Sequence, residues 1–352
     1  MKLEYDLRKL YMDAFAPQPG EKVTFINDLP RQNPSAEDIN RGGMTVEWHR
    51  VMVELGNAIG FEVAPIVTLD LRNPAPGAFD ADGYVRGEKI DLLALMDAWG
   101  EKDIVIAITG PSITGELMRR QNQNFRFGSA PNVTSDFEGF KADYSKIPLR
   151  FEILVGKMAR AVAVEMTFRY FEDTFKCTLD LRGQRYMFQE NGDARRPGSF
   201  INLPSGCANV GPYPGIEGDI RGPSRSEGQI PALIDEELVV YHIKGNRIVD
   251  ITGEGEAAER ERAHVLDPAH PELAVVTKLG LGVNDEARCN GTHVGDEKTM
   301  GMHWGYGPKK HFPDTIWAEH LIAMDMDFVY YDGSRDPIFR NSMYTTNLGE
   351  LF

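Results

Sequence analysis

Three of the chain's eight histidines, His293, His303 and His320, lie among glycines and acids between Leu279 and Gly333, and a fourth, His311, sits in the loop between the last two. Imidazole nitrogens and carboxylate oxygens are the ligand types of zinc hydrolases and of mononuclear Fe(II) oxygenases. His303 stands in GMHWGYGP, where Gly301, Gly305 and Gly307 allow close backbone approach and Trp304 and Tyr306 offer flat walls for a substrate. Strand alternation across Met302, Trp304 and Tyr306 puts His303 on the opposite face. His320 stands in WAEHLIAMDMDF, with Asp325 shortly after it. His303, His320 and Asp325 are the expected ligands of one divalent metal: zinc, manganese or iron. The plain alternative is that both histidines are buried, hydrogen-bonded core residues, because their spacing alone does not define a metal site.

Other groups could move protons or hold substrate. Glu297, in the charged turn Asp296-Glu297-Lys298, is either a surface cap or a proton-transfer group. Glu254 lies in ITGEGEAAER, at a strand end that leads into an acidic helix, which fits a site and equally fits the charge preference of a helix N-terminus. Lys278 interrupts the apolar run LAVVTKLGLG. It either snorkels at an edge or brings its ammonium to substrate, or into the place of a metal charge. Asn202 and Ser205 belong to NLPSG, whose proline and glycine imply a rigid loop beside a pocket.

These groups need elements to position them. Lys22 to Asp28 reads as a strand, Met44 to Ile59 as an amphipathic helix closed by Gly60, and Phe61 to Leu69 as a second strand. Ile90 to Trp99 reads as a short helix, and Asp103 to Thr109 as a buried, β-branched strand of parallel type. That alternation predicts an N-terminal α/β layered domain. The turn GPSITG after it is neither a dinucleotide fingerprint nor a P-loop. Later runs are shorter and hairpin-like: Phe175 to Leu181 with Gln184 to Phe188, and Glu237 to Ile243 with Arg247 to Thr252. The second half is therefore expected to be α+β with much antiparallel sheet, with domains of 1–172 and 173–352.

Bulk properties narrow the partners. The 352 residues carry a formal net charge of −15, which disfavours nucleic acid, whose phosphates need clustered Lys and Arg. No apolar run reaches membrane-spanning length, and the N-terminal stretch lacks the apolar core of a signal peptide. Cys177, Cys207 and Cys289 are scattered without ligand spacing, which fits a reducing compartment. The expectation is a cytoplasmic protein acting on a small molecule.

An ordered set of motifs carries a family resemblance: TLDLRG, INLPSG, GNRIVDI, LGLGVN, GDEKTMGMHWGYG and the closing EHL, DF and YYDG. Through these the chain resembles the aminopeptidase T-like metalloaminopeptidases, and it is similar to the 2,5-dihydroxypyridine 5,6-dioxygenases, over residues 100–335. The resemblance implies an N-terminal α/β domain, a C-terminal metallopeptidase-like domain and a homodimer. It also implies two metals in the peptidases and a single ferrous ion in the dioxygenases. The glutamate expected directly after NLPSG is Cys207, and the glutamate expected just before LGLG is Lys278. Both expected histidines are present, as His303 and His320. The aspartate expected two residues beyond the second is Ile322. A two-metal peptidase site is therefore broken. The sequence leaves three readings: a metal-assisted hydrolase of a small amide or heterocycle, a ferrous ring-cleaving dioxygenase, and a metal-free lyase or non-catalytic relative.

Overall fold

The computed structural model describes residues 3–29, 32–73, 80–120, 122–183, 185–186, 190–289, 293–308, 322–345 and 351. The chain divides into two compact units, Met1–Pro148 with Glu190–Ser205, and Leu149–Gln189 with Gly206–Phe352.

The first unit is a layered α/β sheet whose strands run in the order Phe200–Asn202, Arg126–Ser129, Asp103–Ile108, Lys22–Asp28, Val67–Asn73, Asp80–Val85 and Glu88–Ile90. The first five are mutually parallel and the last two join antiparallel. Asp103–Ile108 is buried along almost its whole length, as its β-branched composition predicts. The helix expected from Met44 spans Ala36–Ile59 instead. Its true start is a capping box, in which the Ser35 side chain accepts from the backbone of Asp38 and the Asp38 side chain from that of Ser35. Gly60 ends it in the left-handed region at φ 102°. The strand expected over residues 61–69 is two strands, Glu62–Val63 and Val67–Asn73, on either side of Pro65, since proline has no N–H for a ladder.

The second unit holds two antiparallel sheets. A four-stranded sheet runs Arg185–Tyr186, Cys207–Gly211, Val276–Gly282, Gly301–Tyr306. An eight-stranded sheet contains Ala161–Tyr170 and Asp173–Asp180, and also Glu237–Lys244, Arg247–Thr252 and Ile322–Tyr330. The two sheets meet through Tyr241 and Trp304, whose rings lie edge-on with centroids 5.1 Å apart.

Two expectations change. The boundary near residue 172 falls in the turn of a hairpin, because Ala161–Tyr170 pairs along its length with Asp173–Asp180. Of the hairpin expected from Phe175 to Leu181 with Gln184 to Phe188, Gln184, Met187 and Phe188 lie outside the described residues, and Arg185–Tyr186 pairs with Cys207–Gly211 in the other sheet. Cross-strand hydrophobic pairing, which a single-strand pattern does not encode, selects the partner. The hairpin of Glu237–Lys244 with Arg247–Thr252 forms as expected. The fold is thus mixed α/β, with a mainly parallel sheet in one unit and antiparallel sheets in the other. Among the described residues, no helix is long and apolar enough to cross a membrane.

Candidate metal centre

The four-stranded sheet sorts its residues by face. Leu279, Leu281, Met302, Trp304, Ala208 and Val210 are apolar and buried, and by the two-residue period they share one face. The other face carries Lys278, Gly280, Gly282, Cys207, Asn209 and His303. Register sets three of these in a row across the strands, because Asn209 pairs with Gly280 and Gly280 with His303. Glycine at 280 is a requirement of the row: a Cβ there would lie 1.9 Å from His303 Nε2 and 2.6 Å from Asn209 Oδ1. The imidazole thus lies over the bare backbone of the central strand and reaches its far neighbour.

His303 Nε2 is 3.2 Å from Asn209 Oδ1 and 3.4 Å from Cys207 Sγ. The Cys207 thiol lies 3.0 Å from the same Asn209 oxygen. Glu297 enters from the segment after the short helix His293–Asp296. Its backbone neighbourhood is pinned by Asn284 N donating to Lys298 O at 3.0 Å. Gly282 permits this, since a Cβ there would meet Thr299 O at 1.9 Å. Lys278 Nζ donates to Glu297 Oε2 at 2.5 Å, and Lys298 Nζ donates to Oε1. One ligand atom each from Cys207, Glu297 and His303 lies within 4.8 Å of the others, and all three residues are buried.

Burial sets the protonation states. Desolvation drives the Lys298 ammonium well below the usual lysine range, because its side chain is wholly enclosed. Desolvation pushes the Cys207 thiol up; the Lys278 charge works against this and the Glu297 charge with it. The resting cluster therefore contains a thiol rather than a thiolate at neutral pH.

The donor set is of a kind that could hold one metal ion. A thiolate sulfur and an imidazole nitrogen on one tetrahedral zinc lie roughly 3.5 Å apart, and the observed separation of Sγ from Nε2 is 3.4 Å. Lys298, whose burial favours the neutral amine, adds no obligatory charge beside such an ion. Among the described residues there is a single such cluster.

The sequence-derived candidates are distributed unevenly. Lys278, Glu297 and His303 come together, and Asp296-Glu297-Lys298 is buried rather than a surface cap. Asp325 is not with them: on the strand Ile322–Tyr330 it is gripped by both Arg169 nitrogens at 2.9 Å and accepts from Asn341 N. Trp304 and Tyr306 are core rather than pocket walls. They pack on Tyr241, and the Tyr306 and Tyr241 hydroxyls donate to Glu261; alternation turns them away from His303. Glu254 is exposed in the bend ahead of the helix Glu256–Val265. Asn202 and Ser205 belong to the first unit, where Asn202 Nδ2 donates to Glu190 and Ser205 Oγ to the Asn202 carbonyl. His311 and His320 lie outside the described residues, as does Trp317, and His293 is described in its backbone alone.

Sequence spacing missed Cys207 and Asn209, because nothing in the linear order places Cys207 beside His303. The available signal was the alternation of C-x-N, K-x-G-x-G and G-x-H-x-G. Each is a strand with one face of small or polar residues.

This architecture is shared with known enzymes. Among solved structures the chain resembles the 2,5-dihydroxypyridine dioxygenase of Pseudomonas putida KT2440, with a TM-score of 0.62 and 15% identity over 98% of each chain. It also resembles wild-type AmpT, aminopeptidase T, of Thermus thermophilus, with a TM-score of 0.52 and 13% identity over 96% of this chain and 98% of that one. No protein-family model matches the chain, and no curated protein matches it in sequence. The chain is a divergent structural relative of these two enzymes, and at such identity the likeness is one of fold.

Proposed function

We propose that the protein is an enzyme that hydrolyses a small polar substrate, an amide or a heterocycle, with one divalent metal held by Cys207, Glu297 and His303. The observation that carries this reading is the convergence of a thiol, a carboxylate and an imidazole within 4.8 Å of one another in the interior. A soft sulfur donor suits zinc, whereas ferrous oxygenase sites use two imidazoles and a carboxylate. Bound there, the ion would supply Lewis acidity and lower the pKa of water.

The chain's own groups have separable tasks. Before metal binds, Asn209 Oδ1 accepts from the Cys207 thiol and lies against His303 Nε2, and the ion would take over both ligand atoms. Lys278 holds Glu297 Oε2 and so keeps the carboxylate facing the cluster. Lys298 can take a proton at Nζ, because burial favours its neutral form. These assignments put Cys207 and Glu297 in place of Asp325, which Arg169 holds; His320 lies outside the described residues. A homodimer is part of the same reading and is checked by light scattering.

Metal analysis tests it. The purified full chain is expected to hold about one zinc per chain, as a mononuclear site requires. Cys207→Ser and His303→Ala are each expected to lose most of that metal while keeping native circular dichroism. Nicotinamide and p-nitroacetanilide serve as amide probes, and 2,5-dihydroxypyridine in an oxygen electrode as the oxygenase probe. Iron with oxygen consumption on the last, or a metal-free protein that hydrolyses the amides as well before as after chelation, overturns the proposal.

A further inference from the structure

Two of the three groups in the candidate metal centre are tied to one short stretch of chain. Gly282 ends a central strand of the four-stranded sheet, opposite Cys207 on one side and Gly301 on the other. Directly beyond it, Val283 N donates to Gly206 O at 2.8 Å, and Asn284 N donates to Lys298 O at 3.0 Å. The first bond holds the residue before Cys207, and the second holds the residue after Glu297. Gly206 has φ 119°, and a Cβ there would lie 3.0 Å from Asn284 Cβ, so the two segments meet with no side chain between them. Residues 282–284 are therefore a hub: a movement of this stretch changes the separation of Cys207 from Glu297.

Two side chains grip successive carbonyls of this hub. Tyr344 donates its hydroxyl to Gly282 O at 2.7 Å. Arg150 is buried; it donates from Nη1 to Val283 O at 3.1 Å, and its other nitrogens reach Asp285 Oδ2 and Leu351 O. Tyr344 is itself well fixed. It lies on the short strand Met343–Tyr344, which pairs with Arg335–Arg340 across the turn at Asn341 and Ser342. Its ring packs on Phe339 with centroids 4.3 Å apart, and Ser342 Oγ in the turn accepts from Met324 N at 2.9 Å. The hydroxyl end is enclosed. Desolvation keeps the phenol protonated far above neutral pH, the Cys207 charge adds to this, and the Arg150 charge opposes it. The hydroxyl is thus a permanent donor within electrostatic reach of Cys207, and it acts on that residue through the Gly282 carbonyl.

We propose that Tyr344 is a positioning residue of the metal centre: its hydroxyl, with Arg150 beside it, clamps residues 282–284 so that the Cys207 sulfur and the Glu297 carboxylate stand at ligand spacing before an ion arrives. A tyrosine suits the task because it must reach from the eight-stranded sheet, which holds Met343–Tyr344, to the four-stranded one, which holds Gly282. The inference rests on the reading of Cys207, Glu297 and His303 as metal ligands. Groups that hold ligands in place without touching the metal typically set affinity by about 10–100-fold.

The test is titration of the metal-free full chain with cobalt(II), which takes the tetrahedral sites of zinc and reports a sulfur ligand by a thiolate-to-cobalt charge-transfer band. Wild type is expected to develop that band at about one cobalt per chain, and Cys207→Ser to lack it. Tyr344→Phe keeps the ring on Phe339 and loses only the hydroxyl. It is expected to bind cobalt about 10–100-fold more weakly, with the band shifted. Ser342→Gly is the control: it removes the partner of Met324 N from the same hairpin, suits the φ of 64° at that position, and leaves the bond to Gly282 in place. It is expected to lower the melting temperature and to keep the cobalt affinity and spectrum of wild type. Wild-type affinity and spectrum in Tyr344→Phe overturn the proposal. Equal weakening by Ser342→Gly also overturns it, because the effect is then one of hairpin stability. A wild type that shows no charge-transfer band, or a band that survives Cys207→Ser, overturns the metal-centre reading and this inference with it.

Discussion

Glu297 and Asp325 are both carboxylates gripped by cations in the antiparallel half of the chain, yet their surroundings make them different objects. Glu297 is held by two lysine amino groups whose side chains are 4% and 0% exposed. Asp325 is held by one guanidinium at a half-open strand face, with the Arg169 side chain 39% exposed. In the first case burial removes solvent screening, and each charge needs a protein partner. In the second, solvent screens the pair and shares the work. Acid next to base is thus a poor guide to chemistry until burial is known, and the buried member is the one that sits with a thiol and an imidazole.

The comparison can be broken by substitution. The largest effect is expected from Glu297→Gln, which leaves two lysines facing a neutral amide in the interior. A loss of about 3–5 kcal/mol in urea unfolding is the expectation for breaking such a buried pair; a loss under about 1 kcal/mol would show that the cluster is better solvated than its burial implies. Lys298→Met keeps the side-chain volume, and Glu297 keeps Lys278, so stability is expected to stay within about 1 kcal/mol or to rise. Amide hydrolysis should nevertheless fall by about 10²-fold or more if Lys298 takes the proton. A variant that keeps full activity removes that role.

At the surface pair, Asp325→Asn is expected to cost only about 0.2–1 kcal/mol. The smallest effect is its pH dependence. The Arg169 guanidinium beside Asp325 holds its carboxyl below the usual carboxylate range, with the Asn341 N–H adding to this against a smaller desolvation effect. A depressed native pKa contributes stability that is complete above the unfolded value of about 3.9 and is lost as pH falls through the native one. Wild type and Asp325→Asn should therefore differ at pH 7 and converge in acid below about pH 4. Curves that stay parallel across that window would show that the pair contributes no linkage.

Legibility of the fold followed the range of the forces. Asp103–Ile108 and the hairpin of Glu237–Lys244 with Arg247–Thr252 could be read directly, because period, β-branching and turn chemistry are local. The start of the helix Ala36–Ile59 was missed although its Ser35 and Asp38 box stands in the sequence; the glycines at 42 and 43 hide the continuity of the apolar face. Arg185–Tyr186 was read as a strand but given to Phe175 to Leu181, since the strand it pairs with, Cys207–Gly211, lies beyond an irregular stretch. Within the site, His303, Lys278 and Glu297 were legible as odd polar residues in an apolar run. Cys207 was legible only as a departure from the family pattern.

The sequence by itself determined which strands have one bare and one apolar face. Alternation of small and large side chains is covalent, and the two-residue period of a strand converts it into geometry without outside help. It thereby determined that His303 and Trp304 face opposite ways. Only the tertiary structure decided what His303 meets. Register between strands distant in the chain brings Cys207 and Asn209 across the bare backbone of Gly280, and the chain segment over Gly282 lowers Glu297 onto them. It also decided that Asp325 belongs to Arg169 and not to the cluster of Cys207, Glu297 and His303. Ion pairing across a sheet depends on which strand lies next door, and burial, which separates a screened pair from an interior one, is a property of the packed chain.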